Sequence, residues 1–248
     1  MSRNRTTESW LAEALVREII VQRLPPGLPL REQDLADRYK VSRPSVREAL
    51  RLAAQAGFVE ILPWRGARVT NIDMDEFLDL LGLLEDMYAR VAALAAERMP
   101  MRAILELEQL VPDDASQLPE TSKKGQIYRI SFTIGAFIGE HCGSLVARRL
   151  FEHVGRLALW QQRLHHPGTA ETELESLHAH RLMVAAIKSR QCDVAAGAAR
   201  AIILITRRTL HPEPIRESDR TGFANVRGFT TGSTTTLAPP PATEKHDD

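Results

Sequence analysis

Between Ser9 and Leu24 the apolar residues Leu11, Ala14, Leu15 and Ile19 recur at steps of three and four, the period of a helix buried along one face. The run PPGLP, Pro25 to Pro29, ends that helix, because two prolines and a glycine cannot continue the backbone hydrogen-bond ladder. A short helix is predicted over Glu32–Tyr39, followed by a tight connection at Lys40 and Val41. Ser42 can cap the next helix, and Pro44 sits in its first turn, where a missing N–H costs nothing. That helix runs to about Gln55 with Val46, Ala49, Leu50 and Ala53 inward, and Gly57 supplies a left-handed stop. The pattern then changes to strand, turn and strand: Phe58 to Leu62, PWRG, and Ala67 to Ile72.

Beyond Asn71 only the helical period remains. NIDMDE (Asn71 to Glu76) caps a long helix with Phe77, Leu81, Leu84, Tyr88, Val91 and Ala95 on one face, closed at Pro100. Further helices are predicted over about Leu105–Val111, Lys123–His141, Ser144–His165, Thr172–Arg190 and Asp193–Leu210, with PDDASQLPETS as a loop. From Glu213 the periodicity vanishes, and TTGSTTTLAPPPATEKHDD has almost nothing to bury, which predicts a disordered tail. The fold class expected is mainly α: an N-terminal winged helix-turn-helix of three helices plus a β-hairpin over residues 1–72, an all-α helical bundle over 73–212, and a Thr/Pro-rich tail over 213–248.

Composition adds constraints. The 248 residues suffice for two cores. Two cysteines, Cys142 and Cys192, lack zinc-finger or CxxC spacing, so a disulfide framework is not expected and a reducing compartment fits. No apolar run reaches the roughly 20 residues that span a bilayer, and the N-terminus lacks a signal-peptide core, so a cytoplasmic protein without membrane association is expected. The formal net charge is zero, yet residues 1–70 hold twelve Lys/Arg against eight Asp/Glu, while residues 71–110 hold three Arg against nine acids. That asymmetry fits an anionic partner for the first segment and fits scattered surface charge equally well.

Arg43, Arg47 and Arg51 stand at four-residue steps. On an isolated helix such a row describes an ordinary solvated face. The hairpin that follows Gly57, with Arg65 and Gly66 at its tip, changes the reading. In a winged helix-turn-helix the third helix enters the major groove of DNA and the hairpin touches the neighbouring backbone. Ser42, Arg43, Ser45 and Arg47 cluster at the end of the helix that enters the groove, where free N–H groups favour phosphate. An arginine there can grip O6 and N7 of guanine, a contact worth roughly 1–3 kcal/mol of discrimination.

These residues also carry a resemblance. LREQDLADRYKVSRPSVREALRLAAQAGFVEILPWRGARV resembles the N-terminal domain of the GntR family of bacterial transcription regulators, over about residues 10–72, with VSRPSVREAL as its most specific part. The resemblance implies DNA contacts at Gln33, Ser42, Arg43, Pro44, Ser45, Arg47, Arg65 and Gly66; Gln33 departs from an arginine found in some relatives. The helical region resembles, more loosely, the FCD effector domain of the FadR subfamily, on length, helix count, Glu85 and HAHRLMVAAIKS. Many such domains hold a divalent metal through an Asp and a His four residues apart plus two later His. Here the pattern falls on Arg129 and Thr133, on His180, and within Ile202–Ile205, so one ligand of four remains. No metal and no other cofactor is expected, since such sites need three or four ligands.

His180 shares a helix face with Met183, Val184 and Ile187, which leaves it either a hydrogen-bonded core histidine or a polar group lining an effector pocket. Arg129, standing where relatives have an acid, either grips a carboxylate in place of the metal or is exposed or paired with an acid. Thr133 completes the candidate effector set. Leu81, where relatives often have arginine, makes the pocket less polar. The implied partners are therefore double-stranded DNA at a pseudo-palindromic operator, a second copy of the chain as a homodimer, and a small-molecule effector, a carboxylate or a more apolar acid. The function expected is an effector-controlled transcriptional regulator acting as a repressor; the alternative is a constitutive dimeric DNA-binding protein whose helical domain has lost its ligand. An enzyme is not expected, for the chain has no HExxH, GxSxG or P-loop and no Cys–His pair with a base.

Overall fold

The computed structural model describes residues 6–112, 126–165 and 170–210, with side chains of residues 126–129 and 170 left aside. The chain begins with α1 (Thr7–Ile20), capped by Thr6, whose side chain accepts from the Ser9 N–H. Next come α2 (Glu32–Tyr39) and α3 (Arg43–Gln55). Ser42 caps α3 by accepting from the Ser45 N–H at 3.2 Å, and its buried face is Val46, Ala49, Leu50 and Ala53, as the periodicity predicts. Lys40 adopts a left-handed φ of 55° and ends α2, the first of the three residues that separate it from α3.

The hairpin is β2 (Val59–Leu62) with β3 (Gly66–Val69): β2 starts one residue later than the sequence pattern suggests, and β3 starts one residue earlier and ends three earlier. It is joined by a strand the pattern does not reveal. The end of the PPGLP break, Pro29–Leu30, is β1, paired antiparallel with β3 so that Leu30 faces Ala67 and Pro29 faces Arg68. The sheet order β1-β3-β2 leaves Pro29 on an edge and at the first residue of its strand, both places where a missing donor is tolerated. This two-residue strand fixes the wing to the body of the small domain.

The remaining described chain is helical: α4 (Met74–Arg98), α5 (Met101–Leu110), α6 (Gln126–His141), α7 (Leu145–His165), α8 (Ala170–Lys188) and α9 (Cys192–Leu210). Asp73 opens α4 with a reciprocal cap: its carboxylate accepts from the Glu76 N–H while the Glu76 side chain accepts from the Asp73 N–H. The helix predicted from Leu105 starts earlier, at Met101, because Pro100 serves as its N-cap. The predicted loop after Pro112 and the predicted tail beyond residue 212 lie outside the described residues.

Two hydrophobic cores result. One is formed by α4 to α9 around Phe77, Leu81, Leu107, Ile138, Met183 and Ile187. The other belongs to α1, α2, α3 and the sheet, built on Leu11, Leu15, Ile19, Val46 and Phe58, and contains one residue from far along the chain, Trp160 of α7. The architecture is a winged helix-turn-helix followed by an all-helical domain, with no described helix long and apolar enough to cross a membrane.

Candidate nucleic-acid interface and helical-domain cavity

The N-terminus of α3, the N-terminus of α2 and the wing converge on one open groove of about 970 Å³. Gln33, Arg43, Arg47, Arg65 and Gly66 all line it, brought together from three separate elements. Arg31 and Arg51 line it too, so that five arginines face one surface. Ser42 and Pro44 are exposed beside it at the tip of α3. Ser45 differs: it is half-buried, and its hydroxyl donates to Glu8 Oε1 of α1 at 2.9 Å, which anchors the tip of α3 to α1.

Glu32 organises the arginines. Its carboxylate accepts two hydrogen bonds from Arg47, 2.9 Å from Nε and 2.8 Å from Nη2, and lies 3.8 Å from Arg43. The Arg47 hydrogen bond is the main reason that this carboxyl sits below its usual range, with Coulombic attraction from Arg47 and Arg43 adding to it. Gln33, on the same helix, donates from Nε2 to both carboxylate oxygens of Asp37 at 3.1 Å. Sequence alone does not show Glu32 as their partner, since it lies on another helix and fifteen residues from Arg47.

The wing tip carries a residue that the motif reading passed over. Trp64 is fully exposed, at 104% of its reference surface. It occupies the third position of a turn closed by the Arg65 N–H donating to the Leu62 carbonyl at 3.1 Å, with Pro63 at the second position and φ of 64° at Trp64 itself. A proline at the second position suits turns with either sign of φ at the third, so PWRG marked the turn and not the positive φ of Trp64.

The helical domain encloses a cavity of about 280 Å³ between α4, α6, α7, α8 and α9. Its wall is mostly apolar, with Leu84, Phe132, Phe151, Leu159, Ile202 and Ile203 among its residues, and its charged groups are Arg156 and Glu152, accompanied by the polar Tyr88, Ser131, Gln162, Ser176 and Thr206. Tyr88 stacks on Phe151 with ring centroids 5.1 Å apart, and burial pushes its phenol well above the ordinary range. The Phe151 ring comes this close because α6 presents Gly135 and Gly139, where a Cβ would lie 3.2 Å from ring atoms.

The sequence-derived effector candidates fall around this cavity unevenly. Thr133 is on the exposed side of α6, whereas Ser131, Phe132, Gly135 and Ala136 form the wall. The Arg129 backbone belongs to α6, and its side chain lies outside the described residues. His180 is completely buried one turn after Ser176, its Nδ1 donating to the Ser176 carbonyl at 2.7 Å, and Ser176 rather than His180 reaches the wall. Burial lowers its pKa to about 4, so the ring is neutral. Its Nε2 is buried without a hydrogen-bond partner among the described residues. Leu81 is in the core rather than on the wall, and Glu85 is held by Arg200 at 3.3 Å and Arg207 at 3.6 Å.

One helix joins the two regions. Along α7, Phe151, Gly155, Ala158 and Leu159 face the cavity. From the same helix Trp160 enters the small domain's core, with its ring centroid 5.5 Å from that of Phe58. Leu157 packs where a Cβ on Gly57 would touch it at 3.4 Å, and the Arg163 carbonyl accepts from Gln22 Nε2. Arg156 belongs to both: it lines the cavity, and its guanidinium donates to both oxygens of Glu13 in α1 at 3.1 and 3.2 Å.

A family model described as bacterial regulatory proteins, gntR family, matches residues 7–69, and one described as the FCD domain matches residues 76–204. The HTH-type transcriptional repressor RspR of Escherichia coli K12 is 34% identical over 95 residues, which is 38% of this chain and 42% of that protein. A probable D-xylose utilization operon transcriptional repressor of Paenarthrobacter nicotinovorans is 35% identical over 91 residues, 36% of this chain and 40% of that one. The chain thus spans less than half the length of these curated relatives. Among solved structures, E. coli McbR/YncC superposes with a TM-score of 0.68 at 18% identity, covering 84% of this chain and 98% of that one, a likeness of fold.

Proposed function

The chain belongs to the GntR family of bacterial regulatory proteins, as a DNA-binding transcriptional regulator with an FCD domain and not an enzyme, and from that premise we propose that it is a repressor whose hold on its operator is set by a ligand in the helical-domain cavity. A homodimer presents α3 twice, so the operator is a pseudo-palindrome. Arg43 and Arg47 read base edges in the major groove, Ser42, Pro44 and Gln33 set the approach of α2 and α3 to the backbone, and Arg65 and Gly66 follow the neighbouring strand. Ser45 acts by fixing the tip of α3 to α1. Binding weakens steeply with salt, because each phosphate contact releases counterions.

The observation that carries effector control is the position of α7. A ligand that fills the cavity pushes on Phe151, Leu159 and Arg156, and the same helix plugs the small domain with Trp160. A shift of α7 therefore moves the small domain relative to the bundle, and with it the spacing of the two recognition helices, a population shift with a physical carrier. The apolar wall and the guanidinium of Arg156 suit an acid with an apolar body. A divalent metal does not fit. The positions that the resemblance assigns to ligands are Arg129, Thr133, His180 and Ile202–Ile205, and the described residues hold no group of three His, Cys, Asp or Glu that could bind one.

The absent metal set is also the observation that favours the second reading, a constitutive dimer with a ligand-free helical domain. One titration separates the two. DNA fragments are selected from the source genome with the protein, and affinity is followed by fluorescence anisotropy. Arg43→Ala with Arg47→Ala abolishes retention at physiological ionic strength; intact retention would remove the interface proposed here. Gly155→Leu places a side chain in open space beside the cavity, where nothing lies within 4 Å of a Cβ. It is expected to weaken operator binding by about tenfold or more, in the usual range for coupling between sites. A Gly155→Leu protein that melts at or above the wild-type temperature and binds the operator unchanged would leave the constitutive reading standing.

A further inference from the structure

Among the described residues, four other than glycine have positive φ: Gln22, Lys40, Trp64 and Arg190. Three of them follow helices, after α1, after α2 and after α8, where a left-handed residue is a common way to stop. Trp64 follows no helix. It holds the one turn position at which glycine or asparagine is favoured and a bulky side chain is strained. The described tryptophans elsewhere are engaged: Trp160 is buried against Phe58, and Trp10 meets Tyr39 edge-on with centroids 6.1 Å apart. Trp64 pays twice, in backbone strain and in a whole indole left in water, and strain of this kind gathers where a side chain is being presented to something.

What it is presented to follows from its neighbours. Arg65 and Gly66, the next two residues, line the groove shared with Arg43 and Arg47, whereas Trp64 stands outside that groove at the extreme of the wing. With α3 seated in the major groove, the region that the wing tip overhangs is the adjacent minor groove. Apolar side chains used there pack on sugar faces and wedge against base steps, and they favour steps that unstack easily.

We propose that Trp64 is a DNA-contacting wedge: its indole packs into the minor groove beside each half-site, and this contact selects operators with a flexible pyrimidine–purine step at that position. Arg65 holds the phosphates that bracket the indole. The contact depends on DNA binding by the small domain and is independent of effector control.

The turn geometry supplies a variant that removes the indole without harming the wing. Trp64→Gly replaces a strained residue with the one best suited to φ of 64°. In the full-length chain, on a duplex selected with wild-type protein, Trp64→Gly is expected to lower affinity by about tenfold or more, the scale of losing an aromatic contact to DNA. The factor stays the same from low to high salt, whereas Arg65→Ala flattens the salt dependence. Trp64→Phe keeps most of the affinity. Replacing a TA step under the wing with a stiff A-tract weakens the wild type and leaves Trp64→Gly indifferent. The melting temperature of Trp64→Gly is unchanged or higher. The proposal is overturned if Trp64→Gly binds like the wild type, if its deficit tracks salt as that of Arg65→Ala does, or if sedimentation shows that the deficit arises from loss of self-association through this residue.

Discussion

Trp160→Ala tests the joint between the two regions. The side chain is fully buried, yet its core is that of residues Leu11 to Val69, all at least ninety positions earlier in the chain. Truncating a buried tryptophan to alanine costs about 3–5 kcal/mol in lost transfer energy and residual cavity, of which the tilted contact with Phe58 supplies about 1 kcal/mol. An opposing contribution reduces this. The indole Nε1–H is buried with no acceptor among the described residues, and an unsatisfied buried donor costs about 1–3 kcal/mol that the variant no longer bears. The net expectation is a loss of about 2–3 kcal/mol. For a unit of this size that lowers the melting temperature by about 10–20 °C. The loss falls on the small domain, so thermal unfolding followed by circular dichroism separates into two transitions, the lower one belonging to the winged helix-turn-helix. Trp160→Phe keeps a ring against Phe58 and removes the orphan donor, so it stays within about 1 kcal/mol of wild type. The reasoning is refuted if Trp160→Ala costs under about 1 kcal/mol, or if Trp160→Phe is as damaging as alanine; either result would mean that α7 merely touches the small domain and does not complete its core.

Two further perturbations follow from the charges. Glu32→Gln frees Arg47 and Arg43 from their shared carboxylate and deletes an anion from the DNA face, so affinity for an unrelated duplex rises severalfold at low salt while the preference for the operator shrinks; anisotropy on matched and scrambled duplexes measures both, and unchanged binding to the scrambled duplex counts against a DNA-facing groove. His180 is neutral in the fold with a pKa of about 4, against 6.5 when unfolded. Its contribution to stability is therefore fully present above pH 6.5 and is lost as pH falls from there to about 4, where the folded state also takes the proton, for a total on the order of 3 kcal/mol. His180→Asn, which retains a donor for the Ser176 carbonyl, flattens urea-unfolding stability across that window; an unaltered pH profile would falsify the assignment.

Much of this molecule was legible in its residues. The stripe on α3, the Ser42 cap with Pro44, the end of α4 before Pro100 and the reciprocal cap at Asp73 each depend on groups within a few positions of one another. Local hydrogen bonding and 3.6-residue periodicity settle such features without reference to the rest of the fold. Arg43, Arg47, Arg65 and Gly66 could be placed at the tips of α3 and the hairpin from the local pattern, and Gln33 only through the family resemblance; that one groove unites all five is read from the fold.

What required tertiary structure was every pairing across the chain. The two-residue strand Pro29–Leu30 is invisible in a proline-rich break, because its only reason to exist is the edge of β3, nearly forty residues later. Glu32 beneath Arg47, Glu13 against Arg156 and Trp160 inside the small domain's core are likewise set by how rigid helices pack and not by their own sequences. The cavity shows the limit most clearly. Helical spacing correctly turned His180 inward, but inward means either wall or core, and only the packing of five helices determined that Ser176 takes the wall while His180 is sealed one turn away. A sequence fixes which face of an element seeks burial; which neighbour buries it is decided when all the elements compete for the same space.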